Sequence, residues 1–383
     1  MPLTAKKTLG ILFFGFGLIA SSSILLSAQS HSAPNMAPQK SDSSGWKTGQ
    51  LVIAPQFEWA DNFSEGLAAA RMGGEAGYID KTGHFAISPR FNVAFHFVDG
   101  LAAVCIKAYG EDKWGYIDKT GGFVINPQFN EAKDFTDGLA AVLIGDYKTG
   151  KWGYIDKTGR FVINPQFYSA DEFNFGIAAV KTADGADPYF INTTGSQVSL
   201  SDVLNVLSKH GFDIALTDFD EKTNKCGYTY EAEKFFINPQ FDSCDDFSDG
   251  LAAVLIGKSE SDKWGYIDKS GHYAINPQFD VAEKFNKGIA RVHIGNYMAG
   301  KWGFIDKTGH FVINPQFDDV EDFSDGLARV RMGNDETGKW GYIDQTGHFV
   351  INSQFDDVEN FSDGLARVHM GDYKTGKYGY IAR

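Results

Sequence analysis

Lys151-Trp152-Gly153-Tyr154-Ile155-Asp156-Lys157-Thr158-Gly159 is the stretch whose reading decides the fold, and Arg160-Phe161-Val162-Ile163-Asn164-Pro165-Gln166-Phe167 follows it. On a strand, Trp152, Tyr154 and Asp156 share one face, and Gly153 and Ile155 share the other. Lys157-Thr158-Gly159 reads as a tight turn, with glycine supplying positive φ. Phe161–Ile163 is the returning strand. Pro165 has no N–H to donate, so pairing is expected to stop near it. A further strand at Gly176–Val180 makes a unit of about three short antiparallel strands. Apolar residues stand on both strand faces, so neighbours must cover both. The glycine beside the tryptophan is expected to let a neighbour's ring lie flat on the backbone.

The same string begins at Lys113, and close copies begin at Lys263, Lys301 and Lys339. Trp114 and Trp152 are 38 residues apart, as are Trp264, Trp302 and Trp340 in turn. Each copy continues as at Phe123–Phe129, and an acidic stretch such as Phe323–Ala328 or Phe361–Ala366 comes next. Three copies depart from the pattern. One has Ala76 in the tryptophan slot. One has Cys226 there, with Tyr230 for the aspartate and Glu233 for the turn glycine. The third, near 183–224, keeps Phe190–Gly195 but loses the Asn-Pro-Gln-Phe run. Its Ser201–His210 reads as a short amphipathic helix, with Val203, Leu204 and Leu207 on one face and Ser201 as cap. The array opens in mid-unit at Lys47-Thr48-Gly49 and closes with the first part of a unit at Lys377–Ile381. Residues 45–383 therefore hold about nine units, with both ends counted as one.

This pattern resembles the WG-repeat family of bacterial proteins, and the resemblance runs from about residue 45 to 383. It implies an all-β architecture of tandem β-meanders and often export, with no single activity. One unit cannot bury its own aromatics, whereas stacked units can. An open superhelical solenoid is favoured over a closed propeller-like ring, because nine units exceed the usual four to eight blades and a blade normally has four strands. The split ends speak for the ring. The repeated Trp114, Trp152, Trp264, Trp302 and Trp340 read as core, so Trp302→Ala should cost roughly 3–5 kcal/mol.

The formal net charge is −14. A surface this acidic repels nucleic acid and anionic headgroups. Lys6 and Lys7, the apolar Leu9–Leu26, and then Ala28 and Ser30 read as a secretory signal over 1–30, cleaved after Ser30. An uncleaved N-terminal anchor is the alternative. Residues 31–44 read as a flexible linker. A secreted, periplasmic or cell-envelope location follows, with no membrane insertion after signal cleavage. Three cysteines are too few for a disulfide scaffold. Cys226 and Cys244 belong to one unit and could pair if the chain is exported, although both stand in apolar slots that suit free buried thiols.

Several residues invite a chemical reading. Arg291, Arg329 and Arg367 recur on one strand where other units have alanine, a stripe that could grip carboxylates or sugar acids. Pairing with neighbouring aspartates is the plainer reading. Asp318, Asp319, Glu321, Asp322 and Asp325 crowd one loop and could bind calcium, which wants six to eight oxygens, though solvated turns explain them as well. His84, His272, His310 and His348 recur after the turn glycine and could bind a transition metal, or could stand on an exposed, tolerant strand position. Gly145–Lys151 has phosphate-loop spacing, but a strand follows it rather than a helix, so it reads as a hairpin turn. There is no His-Glu zinc motif, no Cys-x-x-Cys and no Gly-x-Ser-x-Gly. The expected function is a non-catalytic exported scaffold that binds a partner, a protein or a cell-envelope polysaccharide, with protein favoured. The alternatives are a structural envelope protein stabilised by calcium and an enzyme with its site at the degenerate unit. No cofactor is expected beyond that calcium.

Overall fold

Four strands, not three, make the repeat. Gly138 closes a tight turn into Leu139–Ile144, which pairs in register with Lys151–Asp156, and that strand pairs with Phe161–Phe167. The strand missed in the sequence is the two-residue Glu131–Ala132, which pairs with Leu143 and Val142. It is too short to carry an alternation signal. The computed structural model describes residues 45–108, 111–210, 216–220, 223–231, 234–257, 262–296, 299–334, 336–372 and 374–383. The signal and linker readings, and Glu233, lie outside them. No helix among the described residues is long and apolar enough to cross a membrane.

The described strands form nine antiparallel sheets. Eight have four strands, and one, Leu216–Asp220 with Lys225–Glu231 and Lys234–Phe241, has three. The described residues fall in two compact units. One is drawn from Leu9–Val203, Ser362–Arg367 and Gly376–Arg383, the other from Leu204–Phe361 and Val368–Thr375. The array's first strand, Leu51–Phe57, pairs with its last, Lys377–Ala382. The ninth sheet thus takes its outer strand from the N-terminal end of the array. The all-β repeat class stands. The half-units at the two ends are complementary strands of one sheet.

The returning strand does not stop at proline. Trp152 faces Phe167 and Tyr154 faces Ile163, so four residues on one strand span two on the other. Asn164-Pro165 bulges inward over Gly153, and proline's missing N–H costs nothing at a bulge. A Cβ on Gly153 would lie 2.7 Å from both the Ile163 oxygen and the Pro165 nitrogen. The Trp-Gly glycine therefore makes room for its own sheet's backbone and not for a neighbour's ring. The turn glycine has the expected positive φ, +83° at Gly159, and a Cβ there would lie 3.2 Å from Ile125 of the preceding sheet.

In the degenerate segment, Tyr189–Asn192 and Gln197–Val198 complete the fourth sheet. The helix, α1, spans Leu200–Lys209, with Val203 and Leu207 buried. Its cap is Ser199, not Ser201. The Ser199 Oγ accepts the Asp202 N–H at 3.2 Å and donates its own hydrogen to the Asp202 carboxylate.

Candidate functional site

The tyrosine two residues beyond the tryptophan slot is more deeply buried than the tryptophan itself. Tyr78, Tyr116, Tyr154, Tyr228, Tyr266 and Tyr380 are 0% exposed, whereas Trp264, Trp302 and Trp340 are only half-buried. Trp114 and Trp152 are buried, so the core reading holds for two of the five. A buried phenol needs a partner. Tyr116 donates to the Lys133 carbonyl, Tyr154 to Asp171, and Tyr78 to Phe95. Tyr228, Tyr266 and Tyr342 donate likewise to Asp245, Glu283 and Glu359, and Tyr380 donates to Asp61. Each bond pins the loop of the next sheet. A second seam repeats beside it: the Asp137 carboxylate accepts the Gly176 N–H, Asp249 accepts Gly288, and Asp363 accepts Gly66.

The pinned position keeps its backbone while its side chain changes. It holds Asp61, Phe95, Lys133 and Asp171 in one compact unit, followed by Asn62, His96, Asp134 and Glu172. In the other unit it holds Asp245, Glu283 and Glu359, and Glu321 stands at the same place without the bond because Phe304 fills that tyrosine slot. His96 gathers three sheets: Nδ1 is 3.7 Å from Asp61 and Nε2 is 3.5 Å from Asp134. Lys133 lies 3.4 Å from Asp171 and sits over the Trp152 ring. Phe95 rests on Trp114 at 5.0 Å.

The electrostatics of this cluster are coupled. Contact with Asp61 raises the His96 imidazole above its usual range against the pull of burial, and the Asp134 charge adds to the rise. Burial would raise Asp61, but His96 and the Asn62 N–H outweigh it and hold Asp61 low. Burial raises Asp134, and burial followed by the Asp134 charge pushes Glu172 up to about 7. The raised groups favour folding at low pH. Stability from Glu172 is fully present below its ordinary 4.5 and is lost as pH rises through about 7. His96 acts with the same sign, and Asp61 matters only below its ordinary 3.8. Urea unfolding should therefore show higher stability near pH 5 than near pH 8. Glu172→Gln should remove a part on the order of 1–2 kcal/mol, after solvent screening of this partly exposed group. A wild-type profile that is flat, or unchanged by Glu172→Gln, contradicts the assignment.

The residues singled out in the sequence are placed as follows. Arg291 donates to the Val320 carbonyl at 2.7 Å and meets Asp322 at 2.7 Å, and Arg329 donates to the Val358 carbonyl at 2.6 Å. Arg367 donates to the Ala60 carbonyl at 2.6 Å and covers the Tyr378 ring. The arginines are ties to the next sheet rather than a free stripe. The five carboxylates do not converge. Asp318 takes Lys301 and the Gly333 N–H, Asp319 takes Arg331, Asp322 takes Arg291, and Glu321 lies between Arg291 and Arg329. Asp325 stands in a tight turn at φ 50°. Among the described residues no group of three His, Cys, Asp or Glu side chains is arranged to hold a metal. His84, His272, His310 and His348 each bond the hydroxyl two residues before them, at 2.7 Å. In Gly145–Lys151, Asp146 accepts the Lys148 and Thr149 N–H groups, which makes it a turn. Cys226 and Cys244 form a disulfide, with Cα atoms 6.2 Å apart, and Cys105 is a buried free thiol. The sequence reading missed His96 and the tyrosine latch. The signal was present: a tyrosine two residues after every repeated tryptophan but Trp302, and one histidine in a row otherwise acidic or amide but for Lys284.

Comparison with known proteins bears on the frame alone. No curated protein sequence matches the chain. The crystal structure of a eukaryotic initiation factor is similar over 88% of this chain and 87% of its own, at 11% identity and a TM-score of 0.39. The β-propeller domain of the Trilobed protease from Pyrococcus furiosus, described as having an open velcro topology, is similar over 76% of this chain and 92% of its own, at 11% identity and a TM-score of 0.33. Prolyl oligopeptidase B from Galerina marginata is similar over 67% of this chain and 48% of its own, at 11% identity and a TM-score of 0.39. Likenesses this remote say nothing further of this chain. The WG containing repeat matches residues 47–75, 77–108, 114–147, 152–185, 231–258, 264–297, 302–334 and 340–373, well over half of the chain. The matched segments fall on the sheets described above and pass over α1, and with the pinned tyrosines and glycines between them the chain belongs to the WG-repeat family.

Proposed function

We propose that this protein is a non-catalytic scaffold, exported from the cytoplasm, that binds a protein partner through the row of side chains at the pinned loops. One observation carries the reading. The backbone of that row is fixed by the same tyrosine hydrogen bond in sheet after sheet, while the side chains on it vary among Phe, Lys, Asp and Glu. Variable groups on a constant frame are how repeat arrays specify a partner. The side chains are mostly charged, and charged groups suit orientation and selection of a protein partner. Polysaccharide is the weaker reading, because sugar faces stack on open aromatic rings and the row itself carries one aromatic, Phe95, among charged side chains.

The test is affinity capture from envelope extract of the source cell, comparing wild type with a His96→Ala/Lys133→Ala/Glu172→Ala variant. A control variant carries Arg160→Ala and His310→Ala on the turns. Capture of one defined protein should fall at least about tenfold for the first and hold for the second. Equal capture by all three contradicts the reading.

A further inference from the structure

The Cys226–Cys244 bond occupies a place that the other repeats fill with packing. The two cysteines are 18 residues apart, one on the Trp-Gly strand of one sheet and the other on the two-residue first strand of the next. The same spacing joins Trp114 to Ala132 and Trp152 to Ala170, each pair within a single buried cluster. Trp264 with Ala282 and Trp302 with Val320 repeat it. The repeat with Ala76 in the tryptophan slot also lacks the indole and packs Ala76 with Ala94 in one buried cluster, whereas here a covalent bond stands in place of the contact.

We propose that this disulfide is a redox-exchange site whose substrate is a dithiol reductant, and that its reduction selectively loosens the sheet formed by Leu216–Phe241. Cys244 is half-buried and Cys226 is 0% exposed, so Cys244 Sγ is the sulfur that an incoming thiolate reaches. The thiolate forms a bond to Cys244 Sγ as the Cys226–Cys244 bond breaks, and the electron pair left on Cys226 Sγ takes up a proton from solvent. The second thiol of the reductant loses its proton and attacks its own bridged sulfur. Cys244 leaves as a thiol, and the reductant leaves as a cyclic disulfide. Two electrons pass from the dithiol to the pair. The reduced chain has neither the bond nor the tryptophan, so this seam opens first.

Hydrogen exchange of the full oxidised chain, with and without millimolar dithiothreitol, tests the proposal. Exchange in 216–241 should rise about tenfold or more on reduction, while 123–180 stays unchanged. Cys226→Trp/Cys244→Ala restores the repeat's own pair, and its 216–241 segment should be protected with or without dithiothreitol. Cys226→Ala/Cys244→Ala should match the reduced wild type in both conditions, and it carries the test if the tryptophan variant does not fold. The proposal is overturned if the bond resists dithiothreitol in the folded chain, if the reduced wild type exchanges like the oxidised one, or if all sheets loosen equally.

Discussion

Gly153→Ala is expected to destabilise the protein by roughly 3 kcal/mol, more than its single methyl suggests. The new Cβ would stand 2.7 Å from the Ile163 oxygen and 2.7 Å from the Pro165 nitrogen, and both are backbone atoms. A side chain can rotate away, but the Asn164-Pro165 bulge cannot move without breaking the pairing of Trp152 with Phe167. Replacing glycine also lowers the entropy of the unfolded chain, which returns about 0.4–1 kcal/mol and leaves the clash dominant. Gly122→Ala is the matched control. Its Cβ would have ordinary contacts at 3.5 Å and 3.6 Å, and the aligned residue of the next repeat is Arg160. It should change stability by no more than about 0.5 kcal/mol. Urea midpoints measure both, and equal midpoints for the two variants contradict the bulge account.

Tyr154→Ala is expected to cost roughly 3–5 kcal/mol, the range for deleting a large core aromatic. The ring is 0% exposed and packs on Phe173 with centroids 4.7 Å apart. Its hydroxyl donates to the Asp171 carbonyl at 2.7 Å. Tyr154→Phe keeps the ring and strands that carbonyl, so it should cost about 1–2 kcal/mol. The chain supplies its own precedent in Phe304, which takes the tyrosine slot of one repeat and is 1% exposed. Trp302→Ala should cost less than Tyr154→Ala, about 2 kcal/mol, because Trp302 is only half-buried. That lowers the 3–5 kcal/mol expected when the tryptophan was read as core. A Trp302→Ala loss larger than that of Tyr154→Ala, in thermal or urea unfolding, contradicts this order.

Much of the frame was legible in the residues, for stated reasons. The Trp152–Asp156 strand, the Lys157–Gly159 turn and the Phe161–Ile163 strand follow from alternation and turn chemistry, both local signals. Glu131–Ala132 was not legible, because two residues have no period. Pairing past Pro165 was not legible either, because proline reads as a stop unless the facing residue is a glycine that admits a bulge. The meeting of Leu51–Phe57 with Lys377–Ala382 is a contact between distant segments, and only the complementary half-units hinted at it. Of the candidate site, the arginines and carboxylates were found, but their roles were not. Arg291 and Asp322 belong to different repeats, and residue spacing alone does not say that they touch. His96 was passed over because it stands alone, and its meaning comes from Asp61 and Asp134 on the sheets to either side.

The central claim is that the pinned loops, and not the outer strands, meet the partner. A photoreactive phenylalanine placed at Lys133 in one sample, and at the 48% exposed Val162 of the outer strand in another, tests it most directly in envelope extract. The account predicts one defined cross-linked protein from the Lys133 position and none from Val162. Cross-linking from Val162 with none from Lys133 would contradict it.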